Sequence, residues 1–311
     1  TSTATDLSEP PLPHLVLVAT IFVWSFSFIA AARLRQDLGL TEALAARFVP
    51  VLVGAGIVLV VLWARRGLRV PRTAWAKVAA MGLLSVPAYN IFFFHGMKTV
   101  PSGTAALVIA LTPVFTAILA RLFLGEAFGP RRVAGLVLSL AGVFIVIRYG
   151  TERAVDWPYL SAAILLALAP LSWAIYTVIG RTLPAGSDPL DTAYALLFVG
   201  SLPLLVFGRL STLRTLLAHP PALASALYLA VPCTLLGWVS FLWALKRLPA
   251  GETAAFIFLN PPLANLWAAL FEGTTLRPAF LVGAVVLLVG VAGIVLPLGR
   301  PLRPSPLDTG T

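Results

Sequence analysis

Charge is what this sequence has least of. Only 11% of its 311 residues are Asp, Glu, Lys or Arg, where a soluble domain carries about a quarter. Twelve acids and twenty-two bases cannot give a chain of this length a polar exterior, so an ordinary water-soluble enzyme is excluded. Cysteine is scarcer still. Cys233 stands alone in an apolar segment, which excludes an intramolecular disulfide and a CxxC metal or redox site. No HExxH pattern and no pair of carboxylates at one depth of an apolar run occurs, so an intramembrane enzyme lacks its reactive groups. No metal site or cofactor is expected, and the chain is read as a non-enzyme.

What is present is apolar. Hydrophobic residues make up 59% of the chain and mean hydropathy is +0.95, so the solvent is lipid. A net charge of +10 would suggest nucleic acid in a soluble protein. Here the basic residues fall between long apolar runs, where loop charges orient membrane spans, and no nucleic-acid partner is expected.

A bilayer core of about 30 Å needs about 20 apolar residues in helical form. Runs of that kind lie at 13–32, 42–63, 75–97, 101–122, 131–148, 157–180, 190–209, 222–245, 251–271 and 277–297. Their continuously apolar character, as in VLVGAGIVLVVLW from Val51 to Trp63, excludes the alternation of a barrel strand. The expected fold is an all-α integral membrane protein of ten transmembrane helices. Loops are short, so function must lie within the bundle. Loop Lys and Arg are more numerous on the side holding both ends of the chain (Arg65, Arg66, Arg69, Arg72 and Lys77 among them), so both termini are expected in the cytoplasm. The first span has only Asp6 and Glu9 before it and is read as retained rather than as a signal peptide.

The chain repeats itself. PSGTAALVIALTPVFTAILARLFLG (101–125) lies over PAGETAAFIFLNPPLANLWAALFEG (249–273) without a gap, and sixteen of the forty-seven positions from Pro101 to Ile147 are identical at this offset. Pro113 meets Pro261, Gly125 meets Gly273, Gly135 meets Gly283 and Gly142 meets Gly290. Five spans per unit is an odd number, so the second unit re-enters the membrane in the opposite sense. The expected architecture is a 5+5 inverted repeat, residues 1–148 and 149–311 within one membrane domain. Secondary transporters are built this way, with substrate bound near mid-bilayer at the repeat interface. A purely structural duplication is the alternative.

WSFSF (24–28), Arg47-Phe48 and SGTAALVIALTPVFTAILARLFLGE (102–126), with the repeated AGV and VAG endings, resemble the drug/metabolite transporter superfamily of EamA type over essentially the whole chain. Its ten-helix exporters of amino acids and related metabolites are the most similar group. The resemblance implies export across the bacterial inner membrane by alternating access. The second half departs from the pattern, with Asn260-Pro261-Pro262 in place of Thr112-Pro113 and Thr274 opposite Glu126.

Several residues are out of place for a lipid-facing helix. Pro113 and Pro261 lie near mid-span, where a proline frees a carbonyl; they either line a cavity, with Thr112 and Asn260 beside them, or only shape packing. Trp24, Ser25, Tyr89, Asn90, Trp173, Tyr176 and Trp238 share that depth. Rings there are better explained by protein or solute contacts than by the interfacial belts that Trp and Tyr favour. Arg47 sits inside a span, either snorkelling to the interface or holding a substrate carboxylate, and His95 ends a span at similar depth. No Asp or Glu lies at mid-depth, which favours facilitated export; proton exchange through His95 is the weaker option. The expected function is export of small organic metabolites, most of all amino acids; an exporter of drugs or cationic metabolites coupled to protons is the alternative. A small-molecule substrate and the bilayer are the expected partners, with monomer and homodimer both open.

Overall fold

The structure, a computed structural model, describes residues 12–100, 102–126, 129–149 and 157–295. The two chain ends, and with them the sidedness of the termini expected above, lie outside the described residues. Every described element is helical. In order they are α1 (Leu12–Asp37), α2 (Leu40–Arg66), α3 (Arg72–Gly96), α4 (Ser102–Ile109), α5 (Thr112–Phe123), α6 (Pro130–Tyr149), α7 (Trp157–Leu166), α8 (Leu168–Arg181), α9 (Pro189–Phe207), α10 (Leu210–Ala218), α11 (Pro220–Leu245), α12 (Ala250–Phe271) and α13 (Pro278–Val295).

Among the described residues seven helices are long and apolar enough to cross a membrane, not ten. The shortfall has a local cause in the first half. The run expected at 101–122 is interrupted at Ala110 and Leu111, which leaves α4 and α5 each too short to cross alone. The run expected at 157–180 is likewise interrupted at Ala167, although the stretch Ser161–Arg181 still reaches spanning length. A short helix, α10, stands where a loop was expected. It exposes Leu210, Leu213 and Leu217 on one stripe, the habit of a helix lying along an apolar surface.

The interruptions follow the prolines. Pro113 falls at the start of α5, where its missing N–H would have had no helical partner in any case, and Thr112 Oγ1 donates to the Ile109 carbonyl at 2.6 Å. At the equivalent place in the second half α12 tightens into a 3₁₀ turn over Phe256–Leu259 before Asn260 and Pro261. Pro87 and Pro232 act differently. Each lies inside a helix and is accommodated by a π-helical stretch, Leu84–Ala88 in α3 and Leu229–Leu236 in α11. Gly125 and Gly273, paired by the repeat, close α5 and α12 with φ of 66° and 68°, a region that glycine enters without a Cβ penalty.

The last helix of each half packs against its counterpart through glycines. A Cβ on Gly135 would lie 2.7 Å from the Gly290 carbonyl oxygen, and one on Gly142 would lie 2.6 Å from that of Gly283. Rising numbers on α6 thus meet falling numbers on α13, so the two helices run antiparallel. Near the centre Ser139 Oγ donates to the Leu287 carbonyl, at the position its own repeat mate occupies.

One end of the bundle is laced by polar bonds between helices. Arg66 grips the buried Asp191 through two nitrogens at 2.7 and 3.2 Å, and the Arg69 N–H donates to the same carboxylate. His14 Nε2 and Arg132 both reach Glu252, at 2.8 and 3.4 Å. The Glu126 carboxylate accepts the Ala250 and Gly251 N–H groups that open α12. Lys246 donates to the Ser187 carbonyl. Burial holds its ammonium below the ordinary lysine range, with the Asp188 charge acting in the other direction.

Candidate functional site

Both halves of the chain contribute to a small cavity of about 40 Å³. From the first half its wall takes Trp24, Ser27 and Phe28 of α1, Arg47 of α2, Tyr89 and Phe93 of α3, and Ile109 and Thr112 at the α4/α5 break. From the second it takes Trp173 of α8, Cys233 and Trp238 of α11, and Ile257 and Asn260 of α12. Helix interruptions therefore surround it: the α4/α5 break, the π stretch of α11 and the 3₁₀ turn of α12 all supply lining residues. Broken helices at a repeat interface are where transporters expose backbone and side-chain polar groups to a solute.

Arg47 is 4% exposed. This removes the snorkelling alternative, because the guanidinium turns inward to partners on two other helices. Its Nε and one terminal nitrogen donate to Thr234 Oγ1 at 3.2 and 3.0 Å, and the other terminal nitrogen donates to Asn90 Oδ1 at 3.0 Å. The two π stretches set up both acceptors. Asn90 follows Leu84–Ala88 and gives its Nδ2 protons to the Ser85 and Val86 carbonyls, which leaves Oδ1 for the arginine. Thr234 lies within Leu229–Leu236 and gives its own proton to the Leu229 carbonyl five residues back, so its oxygen can only accept from the arginine.

Both partners, Asn90 and Thr234, are neutral. Desolvating a cation costs several kcal/mol. Hydrogen bonds from a charged donor recover roughly 1.5–3 kcal/mol each. The balance leaves a positive site that an incoming anion would stabilise further. No carboxylate lines the cavity among the described residues.

The rest of the wall is aromatic. Trp24, Trp173 and Trp238 meet pairwise with ring centroids 5.0 to 5.6 Å apart, all edge to face, and Tyr89 adds its edge to Trp173 at 5.5 Å. Trp24 is fixed by a 2.7 Å bond from its Nε1 to the Cys233 carbonyl in the π stretch of α11. Gly237 makes room for it, since a Cβ there would stand 2.3 Å from that same nitrogen. Trp173 Nε1, Trp238 Nε1 and Asn260 Oδ1 are buried without a hydrogen-bond partner. Each unmet group of this kind costs about 1–3 kcal/mol, a cost that a polar solute in the cavity would relieve for these three.

Of the residues singled out in the sequence, Trp24, Arg47, Tyr89, Thr112, Trp173, Trp238 and Asn260 line the cavity. The others sit behind or away from it. Asn90 reaches the site only through Arg47, and Tyr176 is fully buried behind Trp173 at a centroid distance of 4.8 Å. Ser25 bonds the Phe22 carbonyl and accepts from Trp267 Nε1. Pro113 and Pro261 are buried one residue past Thr112 and Asn260, so it is the residue before each proline that reaches the cavity. His95 is exposed and outside the lining. The sequence reading had no signal for Phe28, Phe93, Ile109, Cys233, Ile257 or the arginine partner Thr234.

The EamA-like transporter family matches this chain twice, over residues 12–148 and 160–296. The two matches are displaced by the same 148 residues as the internal repeat. Among similar proteins, a probable terminal-alkyne amino-acid exporter of Streptantibioticus cattleyicolor is 28% identical over 90% of this chain and 91% of its own length. An uncharacterized transporter of Archaeoglobus fulgidus is 27% identical over 89% and 95%. Protein PA1977 of Pseudomonas aeruginosa is 33% identical over 80% and 83%. A solved crystal structure, 19% identical, superposes with a TM-score of 0.68 over 92% of this chain and 96% of that one, a likeness of fold. The spanning helices, the doubled domain and the cavity between its halves therefore place this multi-pass membrane protein in the EamA-like transporter family.

Proposed function

We propose that this chain is a secondary transporter that exports small organic metabolites, amino acids first among them, across the bacterial inner membrane by alternating access. In this reading residues 1–148 and 149–311 are two inverted five-span units and both termini face the cytoplasm. Three further crossings beyond the seven long helices come from α4 with α5, from α6 and from α13. The antiparallel α6/α13 crossing supports the inversion, because it sets the fifth helix of each unit in opposite directions.

The observation that carries the reading is Arg47, a buried guanidinium with neutral partners in the wall of a cavity shared by the two units. A permanent charge in that position is costly and is usually functional. It fits a solute carboxylate and repels a cation, which favours amino acids over cationic drugs. Facilitated export is favoured over proton exchange because no carboxylate lines the cavity among the described residues and His95 is exposed away from it.

The test is counterflow into liposomes containing the purified protein, with a panel of amino acids, cationic amines and dyes and no imposed pH gradient. Saturable exchange of amino acids is expected. Exchange confined to cationic dyes, or uphill movement that requires a pH gradient, would overturn the proposal.

A further inference from the structure

We infer that the cavity holds its solute at two poles, a carboxylate at Arg47 and an ammonium at Asn260, and so selects zwitterions over simple acids. The inference rests on the amino-acid reading of the same cavity and names the residue that reads the amine.

The argument sorts the polar groups of the wall into those already satisfied and those left over. Trp24 Nε1 is bonded to the Cys233 carbonyl, Ser27 Oγ to the Trp24 carbonyl and Thr112 Oγ1 to the Ile109 carbonyl. Left over on the donor side are the two N–H bonds of Arg47 that its three hydrogen bonds to Thr234 and Asn90 do not use, with the indole N–H groups of Trp173 and Trp238. Left over on the acceptor side is Asn260 Oδ1, 3% exposed as a residue and without a partner. A carboxylate satisfies donors and has no proton to give an amide oxygen. An ammonium has three.

The surroundings of Asn260 agree with a cation. It starts the straight part of α12 after the 3₁₀ turn, on the opposite half of the chain from Arg47, so the two poles belong to different repeats. The wall they share is rich in aromatic rings, a kind of surface that attracts an ammonium and accommodates an apolar side chain. The amine is thus held by neutral acceptors and ring faces, which leaves the site without a carboxylate that would compete for Arg47. The inversion-related residue is Thr112, whose hydroxyl gives its proton to the Ile109 carbonyl and keeps only its lone pairs. The asymmetry between Thr112-Pro113 and Asn260-Pro261 therefore sets an acceptor with no partner at all against one that already shares in a backbone bond.

The experiment uses the reconstituted full chain, radiolabelled L-leucine counterflow, and three inhibitors of one shape: L-leucine, 4-methylpentanoate, which lacks the amine, and 3-methylbutylamine, which lacks the carboxylate. Wild-type protein is expected to bind leucine at least tenfold more tightly than either analogue, since each lost charged hydrogen bond is worth that much or more. Asn260→Leu, which keeps the volume and removes the acceptor, is expected to weaken leucine about tenfold and leave 4-methylpentanoate unchanged. Arg47→Gln is expected to weaken both acids and to strengthen the amine, which it no longer repels. Asn260→Asp, which restores an acceptor if the leucine variant fails to insert, is expected to keep leucine exchange and strengthen the amine. Equal inhibition of wild type by leucine and 4-methylpentanoate, or equal loss of both in either Asn260 variant, overturns the two-pole site while leaving amino-acid export standing. Absence of exchange for every amino acid overturns the export reading and this inference with it.

Discussion

A guanidinium carried into a helix bundle and given only Asn and Thr oxygens is poorly compensated, because desolvation costs several kcal/mol and neutral acceptors return only part of it. Stability and activity therefore separate at Arg47. Arg47→Met is expected to melt no lower than wild type in a detergent thermal-shift assay, while carboxylate exchange falls at least tenfold; a large fall in melting temperature would assign Arg47 a structural role. The same residue shows how far single positions are legible. Arg47, Trp24, Trp173 and Asn260 stand out in the sequence because their chemistry is wrong for lipid contact at mid-span. Thr234 and Cys233 do not, because a π turn shifts the helical period and moves residues onto a face that a 3.6-residue count assigns elsewhere. His95 misled for the complementary reason. An imidazole within an apolar run drew notice to it, but it lies two residues past the lining Phe93, a turn of about 200° that places its side chain outside the cavity.

Helices in this molecule are cut where the site needs them cut. The π stretches around Pro87 and Pro232 deliver Asn90 and Thr234 to one guanidinium, from opposite halves of the chain. Gly237, directly after the second stretch, admits Trp24. Gly237→Ala would force a methyl against the Trp24 nitrogen. Overpacking of that kind costs typically 1–3 kcal/mol, and the variant is expected to melt lower and to lose exchange, with Trp24→Phe restoring part of the stability. The glycine crossing of α6 and α13 makes a parallel prediction without a functional component. Gly142→Val would press on the Leu287 amide and the Gly283 carbonyl, and is expected to lower the melting temperature by several degrees while the inhibition constant for leucine in surviving protein is unchanged. Long apolar runs made the spanning helices legible, and the repeat aligned the glycines and prolines of the two halves. The interruptions themselves were not, because hydropathy counts side chains and is blind to which carbonyl a proline leaves unbonded.

At the scale of the whole molecule, sequence and structure agree most closely on the repeat, since identical residues at a fixed offset return as matched breaks, matched glycine ends and an antiparallel pair. The polar lacing that joins α2 and the segment after it to α9, and that joins α1, α6 and α12, gathers at one end of the bundle. Any opening of that end must break it. The double variant Asp191→Asn with Glu252→Gln is expected to shift the resting population, read as at least a fivefold change in the rate at which an impermeant maleimide added from that side modifies the cavity; an unchanged rate would show the lacing to be passive.

The sole thiol of the chain, Cys233, makes such a measurement direct. It is buried in the wall of the cavity, with its sulfur turned to the Val23 carbonyl and its own carbonyl on Trp24, so a reagent reaches it only in molecules whose bundle has opened. A bulky adduct there would act as a plug, one molecule silenced per hit, and a resident solute would shield it in proportion to its own affinity.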